Sequence, residues 1–179
     1  MDQNNVIPEA APKVTVQDYT PSPKIEGVEF VDLKEFADCG GSFMELMHIT
    51  DGQCEAKAGF IPRQINYSVV QPGSVKAFHL HYRQNEFWFI PPAQRMLMGL
   101  YDVRNDSPSK GVSMRFVLGA HKPRLLYIPA GVAHGTANLG LTENSIIYIT
   151  DQQFNLEALD EQRLPWDTLG ADFWKIKQE

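Results

Sequence analysis

The chain has 179 residues, the length of one domain whose core can bury roughly 70% of the surface exposed by the unfolded chain, so folding needs no disulfide or metal. Sixteen basic against 22 acidic residues give a net charge of −6, which argues against nucleic acid or an anionic membrane as the main partner but leaves room for a local basic pocket. Two cysteines, an N-terminus without a signal-peptide pattern and the lack of any apolar run near the ~18 residues of a membrane span make a soluble cytoplasmic protein the expectation.

Residues 1–24 hold Pro8, Pro12, Pro21 and Pro23 among small and polar residues. Proline at that density opposes both helix and central strand, so an extended or mobile N-terminal arm is expected, followed by one β-domain over residues 25–179. From Ile25 onward, short runs rich in β-branched and aromatic residues or alternating in polarity predict strands. They lie at 28–33, 43–49, 64–70, 75–81, 86–90, 95–103, 112–118, 124–129 and 145–150. Turn signals separate them, among them Asp51-Gly52, Pro72-Gly73, Pro91-Pro92 and Asn105-Asp106-Ser107-Pro108. Many short strands with no long 3.6-residue period between them predict an all-β sandwich or closed barrel. Only 155–162 and 170–177 suggest short C-terminal helices.

Three of the five histidines fall in informative places. His79 and His81 are two apart in an extended run and so share one face of a strand, while Phe78 and Leu80 face the other way. Glu86 opens the next strand after a polar turn that would return its carboxylate toward the imidazoles. Pro129-Ala130-Gly131 supplies a rigid turn ahead of His134.

These spacings resemble the two motifs of the cupins: Gly73, His79-Leu80-His81 and Glu86 in the first, Pro129-Ala130-Gly131, His134 and Asn138 in the second. The resemblance implies a double-stranded β-helix, or jelly-roll barrel. In metal-binding cupins the matching residues are ligands, which here implies His79, His81, Glu86 and His134 around a divalent ion such as Zn, Fe, Mn or Ni. The other reading keeps the same histidines as hydrogen-bonding groups in a metal-free pocket.

A longer resemblance, over about residues 30–170, is to the dTDP-4-dehydrorhamnose 3,5-epimerase branch of the cupins. It runs in order through 36-FADCGGSFMELM-47, Gln64 to Ser68, 73-GSVKAFH-79, 101-YDVRNDSPSKG-111, 128-IPAGVAHG-135, Tyr148 and Trp166-Asp167. Such enzymes move a proton alpha to a keto group of a nucleotide-linked hexose without a metal. The resemblance implies His79 as catalytic base, Asp167 as its carboxylate partner, and Gln64, Asn66, Lys76 and His134 as substrate-binding residues. It also implies a homodimer and a sugar-like small-molecule substrate. The chain departs from the pattern in places. The family lysine falls at or beside Phe87, its catalytic tyrosine near Gln153 or Phe154, and a diphosphate-binding arginine at Gly40. A pocket arginine becomes Lys76, and a glutamine becomes His81. Phenylalanine cannot donate a proton and glycine offers no guanidinium fork, so the expectation is an epimerase-like or isomerase-like cupin other than the standard 3,5-epimerase. The alternatives are a metal-dependent cupin oxygenase or isomerase and a non-catalytic sugar-binding cupin.

Among the remaining residues, Trp88, Phe87 and Phe89 read mainly as core, with about half expected on the outside of the barrel. Tyr67, Tyr101 and Tyr148 are possible replacement acids or packing residues. Arg95 and Arg104 either meet phosphate or pair with Asp102 or Asp106.

Overall fold

A computed structural model describes residues 5–177. It is all-β, as the alternating runs require. Two five-stranded antiparallel sheets face each other, in the orders β1-β11-β8-β13-β6 and β10-β9-β12-β7-β14. The first is built from β1 (Glu29–Asp32), β6 (Gln64–Val70), β8 (Glu86–Phe89), β11 (Arg124–Ile128) and β13 (Asn144–Thr150). The second holds β7 (Val75–Leu80), β9 (Arg95–Asp102), β10 (Ser113–Gly119), β12 (Val132–Ala137) and β14 (Gln162–Arg163). Two hairpins, β2 (Glu35–Asp38) with β3 (Gly41–Met44) and β4 (Ile49–Thr50) with β5 (Gln53–Cys54), lie outside this pair. Among the described residues no helix is long and apolar enough to cross a membrane.

Period-2 alternation sends every second side chain of these strands between the sheets. There Val70, Trp88, Ile90, Met96, Met98, Leu100, Leu126, Val132 and Ile146 form the central core. The opposite faces are not left to water. Phe87 and Phe89 turn away from the cavity, yet they are 0% and 5% exposed, because Cys54 and Phe60 from the segment after β4 pack over them. Phe60 meets the Phe87 ring edge-on, 4.9 Å between centroids. Phe87 and Phe89 thus face the outside of the barrel, as alternation predicts, and that face is a second buried layer. Phe78 and Leu80 behave alike on the other sheet, covered by Trp174 and Phe173. Gly99 makes that cover fit, since a Cβ there would come within 2.5 Å of Trp174 and 2.6 Å of Phe173.

β12 carries no run of β-branched residues, and the sequence reads only as a turn before His134. It is a strand because small residues let it pass close to β7: a Cβ on Gly135 would lie 2.3 Å from that of Ala77. The expected C-terminal helices shrink to single 3-10 turns at Leu156–Ala158 and Ala171–Trp174. Between them Gln162 and Arg163 pair with Leu80 and His79 as a strand. In the arm, residues 5–24 include a 3-10 turn at Ala11–Lys13 and expose nearly every residue. The first four residues of the arm and the last two of the expected domain lie outside the described residues.

Candidate active site

One cavity of about 800 Å³ opens between the two sheets. From the first sheet Gln64, Asn66, Glu86, Trp88 and Tyr148 line it, and from the second Lys76, His79 and His134. Asn66, Trp88 and Tyr148 lie side by side, because β13 pairs Tyr148 with both of the others. His134 and His79 are likewise register partners, and their rings stack at 6.0 Å.

The turns that deliver these side chains are tied together by residues distant in sequence. The Asp160 carboxylate accepts the backbone N–H groups of Tyr82, Arg83 and Gln84 at 2.9, 2.9 and 3.0 Å. Burial pushes its pKa up, but those three donors hold it below the usual range. The Gly131 N–H donates to the His81 carbonyl at 2.7 Å, and the Ala130 N–H to the Asn85 side chain at 3.0 Å. The two motif turns are thus bonded to each other.

Deep in the cavity, His81, Glu86 and His134 converge, all buried, with one donor atom from each within 4.8 Å of the others. Glu86 lies 3.2 Å from His81 Nε2 and 3.3 Å from His134 Nε2. It also accepts from Gln84 Nε2 at 2.6 Å and from Trp88 Nε1. The far nitrogens are committed: His134 Nδ1 donates to the Val132 carbonyl at 2.9 Å and His81 Nδ1 to the Asp160 carbonyl. In a neutral ring that leaves Nε2 a lone pair, here aimed at a carboxylate. His134 Nε2 accordingly makes no hydrogen bond although it is buried. The cluster closes when one positive charge is shared among the three, either a proton on an imidazole or a cation between them. Burial pushes Glu86 up, but the adjacent imidazoles overcome it and hold the group well below its ordinary value. Burial likewise opposes a charge on His81, and the Glu86 carboxylate outweighs it, raising the pKa.

Nearer the mouth is a second cluster. His79 Nδ1 lies 3.3 Å from Glu161 Oε1, and Arg163 Nη1 lies 2.9 Å from His79 Nε2. Arg163 Nη2 donates to the same Glu161 oxygen at 2.7 Å. A guanidinium can only donate, so His79 Nε2 is the lone-pair nitrogen and Nδ1 carries the proton. Burial, with the neighbouring His134 and the Arg163 charge, lowers the His79 pKa to about 4, leaving the ring neutral at neutral pH.

Two expected site residues lie apart from their expected partners. His79 is outside the group of donor atoms formed by His81, Glu86 and His134, and its two ring nitrogens face Glu161 and Arg163. Asp167 does not line the cavity. It is exposed, with its carbonyl receiving the Gly170 N–H; the short β14 pairing sets Glu161 beside His79, and the chain has left the site before residue 167. Gln64 and Asn66 lie on the wall, joined at 2.7 Å, and Lys76 Nζ donates to the Val69 carbonyl at 2.8 Å. Glu161, Arg163 and Asp160 escaped the sequence reading; the one available sign was a charged cluster just ahead of Leu164-Pro165. Of the three tyrosines, Tyr148 lines the cavity, Tyr67 is 68% exposed and Tyr101 packs on the outer layer. Arg104 pairs with Asp102 through Nε at 2.9 Å and is structural. Glu86, the buried carboxylate, and Phe87, facing away, sit on adjacent positions of β8.

Comparison with known proteins agrees with this architecture. The family described as dTDP-4-dehydrorhamnose 3,5-epimerase matches residues 22–176. A spore coat polysaccharide biosynthesis protein, SpsL of Bacillus subtilis, is 39% identical over 151 residues, covering 83% of this chain and 96% of that protein. A probable low-salt glycan biosynthesis epimerase, Agl13 of Haloferax volcanii, is 32% identical over 145 residues, covering 81% and 90%. Among solved structures, a dTDP sugar isomerase from Desulfovibrio desulfuricans superposes with a TM-score of 0.69 at 27% identity, over 86% of this chain and 91% of the other. The Legionella pneumophila RmlC in complex with dTDP-4-keto-L-rhamnose shares the fold, with a TM-score of 0.71 at 23% identity over 88% and 84%.

Proposed function

Because the chain belongs to the dTDP-4-dehydrorhamnose 3,5-epimerase family of sugar epimerases, we propose that it removes and returns a proton alpha to the carbonyl of a nucleotide-linked keto sugar. The observation that carries this reading is that His79 and Tyr148 reach one cavity from opposite sheets. Inversion at carbon requires a base on one face and a proton donor on the other. His79 Nε2, its lone pair held toward the cavity by the Glu161 contact at Nδ1, takes the proton and leaves an enolate. Tyr148 returns a proton from the facing wall. Burial, together with the Glu86 and Glu161 charges, raises the Tyr148 pKa, so the phenol keeps its proton until it is needed. Gln64, Asn66, Lys76 and His134 bind the sugar, and Glu161 takes the polarising role first assigned to Asp167.

The reaction is not the standard 3,5-epimerisation. By the family resemblance the lysine falls at or beside Phe87, which is buried away from the cavity, and the phenol near Gln153 or Phe154, both of which line the cavity. The test is deuterium incorporation from heavy water into a dTDP-linked 4-keto-6-deoxyhexose, followed by NMR. Native protein exchanges the alpha proton and releases an epimer, and His79→Asn abolishes both. Native protein that binds the sugar without exchange is instead a non-catalytic binding cupin.

A second reading is favoured by the three convergent donors of His81, Glu86 and His134. Two imidazole nitrogens and a carboxylate oxygen suit Zn, Fe, Mn or Ni, and a cation there satisfies the orphaned His134 Nε2. When bound, such an ion polarises a carbonyl as a Lewis acid. Elemental analysis of the native protein and of His81→Gln decides: about one ion per chain, lost in the variant, supports a metal-assisted enzyme. Oxygen consumption would identify an oxygenase.

We also take the homodimer as part of this proposal. Ile65 and Tyr67 on edge strand β6 are 67% and 68% exposed, which is costly for a free edge. Light scattering reports the assembly directly.

A further inference from the structure

Proton abstraction alpha to a carbonyl places a full negative charge on the carbonyl oxygen, and a site without a positive partner for that oxygen forfeits the largest catalytic contribution available to it. The resemblance puts the family lysine at or beside Phe87, where this chain has none, so on the proton-transfer reading that partner comes from elsewhere. Three cationic side chains line the cavity: Lys76, Arg83 and Arg163. Lys76 is turned onto the Val69 carbonyl at 2.8 Å. Arg83 Nη2 is turned onto the Ala158 carbonyl at 3.2 Å. Arg163 alone has its guanidinium against the proposed base, with Nη1 2.9 Å from His79 Nε2.

We propose that Arg163 is the electrophilic residue of the site, binding the enolate oxygen, with Glu161 positioning both it and the base. This rests on the proton-transfer reading above. His79 Nε2 must meet the alpha C–H, and the carbonyl oxygen sits on the adjacent carbon. A donor already touching Nε2 is therefore beside the place where that oxygen arrives. Substrate entry displaces the Arg163–His79 contact and hands the freed N–H to the oxygen. Charge balances through the cycle: the C–H proton goes to Nε2, the electron pair to the oxygen facing Arg163, the collapsing enolate takes a proton on carbon from Tyr148, and the His79 imidazolium then returns its proton through water to the phenolate. A guanidinium has five donors, so Nη2 stays on Glu161 Oε1 at 2.7 Å while Nη1 changes partner. The two groups move into place together because β14 pairs residue 163 directly with residue 79.

The experiment measures deuterium exchange and epimer formation on a dTDP-linked 4-keto-6-deoxyhexose for native protein, Arg163→Ala and Arg163→Lys, with unfolding midpoints alongside. Arg163 is exposed enough that its loss leaves the fold intact. The expected result is a loss of about 10²–10³-fold in exchange for Arg163→Ala, borne by kcat more than KM. Low-millimolar guanidinium restores at least a tenth of it, and Arg163→Lys falls between. Exchange in Arg163→Ala within threefold of native overturns the assignment, as does a loss that guanidinium does not restore. Native protein that exchanges nothing overturns the proton-transfer reading itself and this assignment with it.

Discussion

Two histidine–carboxylate clusters share the cavity and differ in almost everything but composition. In the inner one, Glu86 is 3% exposed and its two imidazoles are 8% and 2% exposed. Its outer nitrogens are pinned to backbone carbonyls, so no group can turn. In the outer one, His79, Glu161 and Arg163 are linked to one another and open to the mouth. A buried charge pair is held by geometry and gives little net stability, yet breaking it is costly; a half-exposed one is cheap to rearrange. The inner cluster is built to stay fixed and the outer one to exchange partners. That contrast is why the proton-transfer proposal is placed on the second.

The sharpest way to break that contrast is to delete one member of each. His79→Asn is expected to cost about 10³-fold in exchange with no change in unfolding midpoint; equal loss of both would erase the distinction. Tyr148→Phe is next. It should cut epimer release by about 10²-fold while leaving exchange at the starting configuration, visible as deuterated but uninverted sugar by NMR. Glu86→Gln should show the opposite profile to His79→Asn: denaturant titration is expected to find about 3 kcal/mol of stability lost, because two buried imidazoles lose their counter-charge. The smallest effect concerns a charge outside the cavity. Asp102, fully buried and bonded to Arg104 and Ser109, is held far below the ordinary carboxylate value: burial pushes it up, and hydrogen bonds from Arg104, Ser107 and Ser109 overcome this. A depressed pKa contributes stability above the unfolded value, near 4, that drains away as pH falls further. Asp102→Asn should therefore flatten the acid side of the stability profile and leave catalysis untouched.

How much of this the chain disclosed in advance depended on distance along it. β6, β8, β9 and β13 could be read because alternation is local and their inward residues are large. β12 could not, since Val-Ala-His-Gly-Thr-Ala owes its strand state to the near contact of Gly135 with Ala77, which no local pattern encodes. The buried state of Phe87 and Phe89 depends likewise on Phe60 folding over them. His79, His81, Glu86 and His134 stood out because motif spacing is a sequence property. Glu161 and Arg163 did not: the first lies at the end of a stretch that reads as helix and the second just past it, and only pairing with β7 across eighty-odd positions (163 against 79) brings them to the cavity.

Asp160 gives that last stretch a further meaning. Its carboxylate anchors the turn after β7, its carbonyl orients His81, and the next three residues include Glu161 and Arg163, which line the cavity. The barrel and its inner cluster make no demand on the identity of residues 161 and 163 beyond backbone pairing. Side chains at these two positions can therefore be exchanged, and the mouth of the cavity rewritten, with the scaffold beneath left as it was.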